Sequence, residues 1–301
     1  MNYTNCVETL TNSGDIPADS EVVSTNNKIV IISHGEKLVA RIGSLVDVKE
    51  RDDPHDLRYS HRASWLAGEV APVVKPLHEE PLISGDYVIS SYPLLDNKAD
   101  LSESNAKELY HMTHKLGDAL AKVEAGMTLR RLNVEAYVGE RLNFMLSNPE
   151  HFDQRLVDYV SDEFDRMSVK HPFNQLTQDD TAMVHGDFKA DNVVLDYDGS
   201  LKTIDLDAAA VGPRLYDLAS WRLRRELGDK APIETVVDMG RHSKEWNEDS
   251  FRSLVGWKAL SSMSFTLRYE SPDIYVDNVA RLARSAILLG GIEAAPTPAA
   301  V

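Results

Sequence analysis

Three side chains between residues 187 and 205 have the types and the spacing that phosphoryl transfer from a nucleoside triphosphate requires. Asp187 lies in a polar segment, Asn192 follows five residues later, and Asp205 comes directly after an apolar run. The reaction needs a carboxylate that orients the attacking hydroxyl and accepts its proton, together with oxygen ligands for magnesium. Asp187 is therefore the candidate base, and Asn192 and Asp205 are the candidate magnesium ligands.

Two neighbours of the candidate base complete the catalytic segment. Lys189, two residues after Asp187, is expected to meet the transferring phosphate as a point charge. His185 is expected to brace the loop rather than to react. An isolated His-x-Asp pair is usually a hydrogen-bonded surface feature, so the prediction depends on its combination with Asn192 and Asp205.

Short β segments are needed to position these residues. The stretch 181–184 is typical of a strand that leads into the polar loop, and the apolar runs 192–196 and 201–206 flank Asp198-Gly199. An Asp-Gly pair between apolar runs is a strong hairpin signal. The sequence therefore predicts a loop that enters a hairpin whose far strand ends at Asp205, which brings residues distant in the chain into one site.

The N-terminal third of the chain is rich in β-forming segments. Three short runs between residues 21 and 42, separated by turn-like polar residues, predict an antiparallel meander. Residues 56–68 carry helical spacing and end at Gly68, which is suited to a helix C-terminus. The apolar runs between residues 71 and 95 predict two or more further strands.

The remainder of the chain is predicted to be mostly helical. A helix begins after Asp100, with apolar residues at three- and four-residue steps, and further helices cover about 134–146 and 152–168. We therefore expect an α+β protein with a strand-rich N-terminal lobe over residues 1–93 and a mostly helical C-terminal lobe over residues 94–301.

The segment from residue 185 to residue 219 resembles the aminoglycoside phosphotransferase family of small-molecule kinases, which are related to the protein kinases. The matching motifs are His185-Gly186-Asp187 with Asn192, Ile204-Asp205-Leu206-Asp207, Gly212-Pro213 and Asp217-Leu218-Ala219.

The resemblance implies a bilobal protein-kinase-like fold and the use of ATP and Mg²⁺. It also implies that Asp187 is the catalytic base and that Asn192 and Asp205 bind magnesium. Asp207 takes the place of the glycine in the Asp-Phe-Gly motif of protein kinases, which makes it a further metal-binding or structural candidate.

The resemblance extends more loosely to nucleotide-binding residues of the N-terminal lobe. Arg41 lies where the family has a phosphate-binding Lys or Arg on the third strand. The turn from Ser24 to Asn27 resembles the loop that covers the phosphates, although it contains no glycine. The backbone at Ser91 and Tyr92 is expected to lie against adenine.

The expected partner of the strand cation is missing from its usual position. Family members often have a Glu in the helix before the Trp-Leu-Ala segment, but this chain has Tyr59 there. Either the ion pair with Arg41 is dispensable, or another acid such as Asp56 supplies it.

Composition restricts the class of protein and the kind of partner. The net charge of −16 argues against a nucleic-acid partner and is compatible with a cationic small molecule. A single cysteine, Cys6, excludes an intrachain disulfide. No signal peptide and no apolar run long enough for a membrane helix is evident, so we expect a cytoplasmic protein without membrane contact.

The acceptor molecule is the open question. An aminoglycoside or a similar amino-bearing compound, which would make this an antibiotic-resistance enzyme, is one alternative, and a metabolic acceptor such as choline, homoserine or an amino sugar is the other. Candidate cation-binding acids are Glu270, Asp273 and Asp277. Solvated charges at helix ends are the simpler interpretation of these three residues.

Other functions fit the sequence less well. A protein kinase is disfavoured because only twelve positions separate Asp205 from Asp217, which is too few for a usual activation segment. A hydrolase is disfavoured because no Gly-x-Ser-x-Gly motif is present. A catalytically silent nucleotide-binding module is the alternative from another class, but Asp187, Asn192 and Asp205 are all retained.

Overall fold

The computed structural model describes residues 8, 11–12, 14, 20–25, 28–32, 37–44, 56–84, 87–95, 99, 101–177, 180–226 and 232–292. The chain forms two compact units, each of which is built from more than one stretch of sequence. The first unit comprises Met1–Asp100, Asp118–Arg130 and Asp191–Ala209. The second unit comprises Leu101–Gly117, Arg131–Ala190 and Ala210–Val301.

A five-stranded antiparallel sheet with the order β1-β2-β3-β5-β4 organises the first unit. Its strands are β1 Glu21–Thr25, β2 Lys28–Ile32, β3 Lys37–Ser44, β4 Leu82–Ser84 and β5 Tyr87–Pro93. The predicted meander of three strands is confirmed. The further strands predicted between residues 71 and 95 are confirmed as β4 and β5, whereas Val73 forms only an isolated bridge with Thr203.

Helix α1 (Leu57–Ala67) packs in the first unit and matches the predicted span. Asp56 caps its N-terminus, because its carboxylate accepts a hydrogen bond from the backbone N–H of Arg58 at 3.0 Å. The backbone N–H of Gly68 donates to the carbonyl of Ser64 at 2.9 Å, which closes the last turn. Leu66 is buried against Gly126, where an added Cβ would come within 2.8 Å of Leu66 Cδ1.

The predicted hairpin forms within the first unit from β7 (Val193–Leu195) and β8 (Leu201–Thr203), paired antiparallel. The backbone N–H of Gly199 donates to the carbonyl of Asp196 at 2.9 Å, and the left-handed φ of 82° at Gly199 closes the turn. The far strand ends two residues before Asp205, and a short 3₁₀ helix at Leu206–Ala208 follows.

The remaining helices include the predicted ones at almost the predicted limits. They are α2 Ala106–Asp118, α3 Leu120–Glu124, α4 Val134–Leu146, α5 Gln154–Lys170, α6 Phe173–Leu176, α7 Tyr216–Glu226, α8 Ile233–Arg241, α9 Glu248–Tyr269 and α10 Pro272–Leu288. The cap before α2 involves Ser102, whereas the predicted start at Asp100 lies outside the described residues. No helix of the described ranges is both long enough and apolar enough to cross a bilayer.

An aromatic core and a second small sheet organise the second unit. Strand β6 (Thr181–Val184) pairs antiparallel with β9 (Ala210–Pro213). Phe188 meets Trp221 edge to face with ring centroids 4.9 Å apart, and both side chains are fully buried. These contacts fix the segment after β6 and the helix after β9 to each other.

Candidate active site

The segment that contains the candidate base begins directly after β6 and is held by a buried carboxylate. Asp217, in the first turn of α7, accepts hydrogen bonds from the backbone N–H of His185 at 2.6 Å and of Gly186 at 2.9 Å. Gly186 has a φ of 81°, so the chain turns through a left-handed conformation that favours glycine. Burial raises the pKa of Asp217, an effect opposed by His185 and by these two hydrogen bonds.

Asp187 follows this turn and contacts two cations. Lys189 Nζ lies 2.6 Å from its Oδ2, and Arg224 Nη2 lies 2.8 Å from its Oδ1. Burial by itself would raise the pKa of Asp187. The hydrogen bond from Lys189 and the charges of Arg224, Lys258 and Lys189 outweigh burial, so its pKa lies below the usual range and it is ionised at neutral pH.

His185 is fully buried and lies beside Phe188, with ring centroids 5.6 Å apart. Phe188 in turn packs against Trp221. A fully buried ring at this place fits the predicted bracing role better than contact with a substrate.

Lys258 of α9 is a further charged group of this neighbourhood that sequence reasoning missed. Its Nζ lies 5.6 Å from the ring centroid of Tyr216, and its side chain is half-buried. Burial lowers its pKa from 10.5 to about 8, with Arg224 and Lys189 acting in the same direction and Asp187 and Asp217 opposing.

The two candidate magnesium ligands belong to the hairpin of the first unit. The backbone carbonyl of Asn192 accepts hydrogen bonds from Thr203 Oγ1 at 3.1 Å and from the N–H of Ile204 at 3.0 Å. These bonds connect the start of β7 to the residues just before Asp205. Asp205 itself has φ 69° and ψ 61°, which is uncommon for a residue other than glycine and is a conformation that clusters at functional sites.

The carboxylate of Asp205 has the chemistry that a hard cation requires. Its Oδ1 is shielded from solvent and has no hydrogen-bond partner among the described residues, although Arg41 Nη1 lies 3.1 Å away. Carboxylate and amide oxygens are the ligands that magnesium prefers. Asp205 and Asn192 therefore fit the ion that the sequence implies.

Arg41 on β3 forms a bidentate ion pair with Asp207. Its Nη1 and Nη2 lie 2.9 Å and 2.6 Å from the two carboxylate oxygens. Burial opposes the charge of the guanidinium, but the hydrogen bond to Asp207 and the charges of Asp207 and Asp205 raise the pKa of Arg41. Burial opposes the charge of Asp207 as well, yet the hydrogen bond and the charge of Arg41 lower its pKa.

The acid that pairs with Arg41 is thus not Asp56, and that alternative is wrong. Asp56 caps α1 and binds the side chain of Arg58, with Arg58 Nε 3.0 Å from its Oδ1. Tyr59, at the position of the missing Glu, donates its hydroxyl hydrogen to the carbonyl of Ala209 at 2.7 Å. Asp207 replaces the missing Glu from a segment 166 residues away.

A cavity of about 190 Å³ lies in the first unit beside Arg41. Most of its lining is apolar, as a site for a planar base requires, and the charged pair of Arg41 and Asp205 belongs to the same lining. The lining residues are Val39, Arg41, Val74, Tyr92, Pro93, Leu94, Leu95, Val194, Ile204 and Asp205.

The other nucleotide-binding candidates are placed differently from one another. Tyr92 lines the cavity, and burial raises the pKa of its hydroxyl. Ser91 is buried, lies outside the described lining, and uses its carbonyl to accept the N–H of Leu77 at 2.8 Å. Ser24 belongs to β1, whereas Asn27 lies outside the described residues.

The three acids suggested for a cationic acceptor lie at or beyond the C-terminal end of α9. Glu270 is the residue after that helix and accepts a hydrogen bond from Asn278 Nδ2 at 3.0 Å. Asp277 on α10 is exposed, and the side chain of Asp273 lies outside the described part of the chain. Lys258 precedes Glu270 by twelve residues, which is about 18 Å along a helix.

Comparison with solved structures identifies the fold. Aminoglycoside phosphotransferase APH(4)-Ia, as a thermostable mutant, matches with a TM-score of 0.64 and 15% identity over 94% of this chain and 97% of that chain. Choline kinase LicA from Streptococcus pneumoniae matches with a TM-score of 0.65 and 12% identity over 95% and 99%. The GDP and kanamycin complex of APH(2")-IIIa matches with a TM-score of 0.64 and 17% identity over 94% and 97%.

The expected α+β, protein-kinase-like fold is confirmed by these matches. No curated protein sequence shows significant similarity to the chain. The family described as "Phosphotransferase enzyme family" matches residues 18–253, which confirms the resemblance seen in the motifs. Because this match covers most of its length, the chain belongs to the phosphotransferase enzyme family.

Proposed function

We propose that this phosphotransferase is a kinase that transfers the γ-phosphate of ATP to a hydroxyl group of a small molecule, with Asp187 as the catalytic base. The observation that carries the proposal is the environment of Asp187. Its loop is held by Asp217, and its carboxylate lies between Lys189 and Arg224. Structures similar to this chain contain ADP or AMP-PNP together with hygromycin B, which supports a nucleotide and a small-molecule acceptor.

The reaction assigns a task to each group of the loop. Asp187 is ionised and accepts a hydrogen bond from the acceptor hydroxyl, which orients the oxygen toward the γ-phosphorus. The new O–P bond forms as the bond from the γ-phosphorus to the β–γ bridging oxygen breaks. ADP departs with that oxygen, and the hydroxyl proton goes to Asp187. Lys189 stabilises charge on the transferring phosphoryl group.

The nucleotide is assigned to residues of the first unit. The cavity beside Tyr92 would hold the base, and Arg41 would contact the phosphates. Asn192 and Asp205 would hold Mg²⁺, which supplies neutralisation of phosphate charge when it is bound. Ser24, Asn27 and Ser91 are further candidates for contact with the nucleotide. Because ATP is an intracellular nucleotide, the proposal carries with it a cytoplasmic location.

Two of the acceptor classes named from the sequence are supported by the similar structures. An aminoglycoside acceptor, and with it a role in antibiotic resistance, is supported by the similar structures that contain hygromycin B and kanamycin. A metabolic acceptor is supported equally by the similarity to choline kinase.

The proposal is tested by ADP release with ATP, Mg²⁺ and a panel of aminoglycosides, amino sugars, choline and homoserine. Asp187→Asn should lower kcat by about 100- to 10,000-fold, the range for loss of a general base, while ATP binding stays nearly intact. Asp198→Asn, in the exposed hairpin turn, is the matched control and should behave as the wild type. Wild-type turnover in Asp187→Asn would show that the base is assigned wrongly.

The metal assignment has its own measurement. Asp205→Ala should weaken nucleotide binding measured calorimetrically with Mg²⁺ and change it little without Mg²⁺. Equal affinities of wild type and variant under both conditions would contradict the role of Asp205. A panel that releases no ADP, in a protein that still binds ATP, would favour the silent nucleotide-binding module instead.

A further inference from the structure

One face of α9 is exposed or half-buried along its C-terminal half. Between residues 257 and 269, all side chains of the helix outside this face are buried. The exposed and half-buried positions recur at steps of three and four, so they lie on one side of the helix. They are Lys258, Ser261, Ser262, Phe265, Arg268 and Tyr269, here called the α9 stripe.

Helix α4 continues the α9 stripe with side chains of the same kinds. Arg141 Nη1 donates to the carbonyl of Ser261 at 3.0 Å, and its guanidinium carbon lies 5.5 Å from the ring centroid of Phe265. The guanidinium carbon of Arg268 lies 4.5 Å from the ring centroid of Phe144. Aromatic rings and guanidinium groups thus alternate across the two helices.

The α9 stripe begins at the catalytic loop. Lys258 lies against Tyr216, which directly precedes the Asp217 that holds the loop. The charge of Asp187 acts on Lys258, and that of Lys258 acts on Asp187. A molecule whose hydroxyl reaches Asp187 would therefore extend along Lys258 toward Phe265 and Arg268.

The charges along this path are mainly positive. Lys189 and Arg224 contact Asp187 directly, and Lys258, Arg141 and Arg268 follow. The carboxylate of Asp217 is buried and already accepts hydrogen bonds from two backbone N–H groups, so it is shielded from an amine of the acceptor.

The acids that could offset these charges are few or distant. Glu140 lies 3.7 Å from Arg268, and 74% of its side chain is exposed, so solvent screens its charge. Glu270 lies two residues after Arg268, at the end of α9 remote from Lys258, and already accepts a hydrogen bond from Asn278. A polyamine bound with a hydroxyl at Asp187 would thus meet cations first.

We propose that the acceptor hydroxyl belongs to a molecule that also carries an oxyanion, a carboxylate or a phosphate group, and a ring or apolar body. The oxyanion is bound by Lys258 and Arg141, and the apolar body lies on Phe265, beside the guanidinium of Arg141. This inference rests on the proposed kinase function and narrows its acceptor. The net charge of the whole chain is negative and suggests a cationic acceptor. The side chains near Asp187 are mainly positive, so the inference favours an anionic acceptor instead.

Matched acceptors test the sign of the charge directly. ADP release would be measured with 4-nitrophenyl glucuronide, the neutral 4-nitrophenyl glucoside, glucuronate, glucosamine and kanamycin. We expect kcat/KM for the anionic glycoside to exceed that of the neutral one by about 10- to 100-fold, as charge-assisted hydrogen bonds provide. Glucosamine and kanamycin should be the poorest acceptors.

Two variants assign the preference to the α9 stripe and to the arginine of α4 beside it. Arg141→Gln removes one cation, and Ser262→Glu adds a carboxylate without removing a known contact. Each should lower kcat/KM for the anionic glycoside by about tenfold while changing that for the neutral one little, as expected for one charge-assisted contact. Arg155→Gln, which removes an exposed cation on α5, is the control and should retain the preference.

The outcomes separate this inference from the function on which it rests. Equal or better turnover of glucosamine or kanamycin overturns the anionic acceptor while leaving a kinase that depends on Asp187. If both Arg141→Gln and Ser262→Glu keep the preference for the anionic glycoside, the assignment of the oxyanion site to α9 and the adjacent arginine is overturned. If no acceptor produces ADP release that Asp187→Asn lowers, the kinase function and the inference are both overturned.

Discussion

The substitution Asp217→Asn isolates the contribution of the buried carboxylate to the position of Asp187, the proposed catalytic base. The side chain of Asp217 is buried and accepts two backbone hydrogen bonds, from His185 and Gly186. Asparagine has nearly the same volume but keeps only one acceptor oxygen, so one N–H loses its partner and faces an amide donor. A hydrogen bond to a charged group contributes about 1.5–3 kcal/mol.

Loss of the buried charge offsets part of that cost, because burial already disfavours the ionised carboxylate. We therefore expect the free energy of unfolding to fall by about 2 kcal/mol. We also expect kcat to fall by about 100-fold, since a misplacement of about 1 Å in a reacting group has that effect.

The two effects are measured by urea unfolding and by ADP release. Hydrogen exchange of a peptide spanning residues 183–190 reports on the loop itself, even if the two units unfold separately. Asp162→Asn, which changes an exposed acid on α5, is the control and should alter stability by less than about 0.5 kcal/mol. The reasoning would be refuted if Asp217→Asn unfolded at the wild-type urea concentration and its loop amides exchanged no faster than in the wild type.

Three further perturbations have defined outcomes. Arg224→Gln removes a cation that lowers the pKa of Asp187, so the acidic limb of kcat/KM should move to higher pH, and an unmoved limb would contradict the contact. Arg41→Met should lower the free energy of unfolding by about 2 kcal/mol, and Asp207→Asn in the same chain should recover part of it; no recovery would argue against the pair. The pKa of Lys258 is about 8 in the folded protein and 10.5 in the unfolded chain, so its contribution to stability should rise with pH across that window, and Lys258→Met should remove the rise in urea midpoint.

The parts of the site that could be predicted from sequence depend on local rules. Asp198-Gly199 indicates the hairpin because the turn needs one residue with positive φ, which Gly199 supplies, and Asp56 with Gly68 limits α1 through caps that involve neighbouring residues. Asp187 and Asn192 could be found because the motif is short. Each of these signals is contained within a few residues of the chain.

The contacts that determine the electrostatics of the site were not predictable in this way. Arg224 lies 37 residues from Asp187, and Asp207 lies 166 residues from Arg41. An exposed or half-buried charge has no periodic pattern that identifies its partner, and a buried ion pair depends on which elements pack together. Lys258 shows the same difficulty, because nothing in the surrounding sequence distinguishes it from the other lysines of the chain.

Helix α7 holds the loop that contains Asp187 at two points. Asp217 holds the backbone at His185 and Gly186, and Arg224, seven residues and about 10 Å further along, holds the carboxylate of Asp187. Two separate attachments restrict rotation of the loop as well as its translation. The orientation of Asp187 therefore depends on how α7 packs. In a directed-evolution experiment, substitutions in the core beneath this helix should therefore change the turnover number while leaving substrate affinity nearly constant.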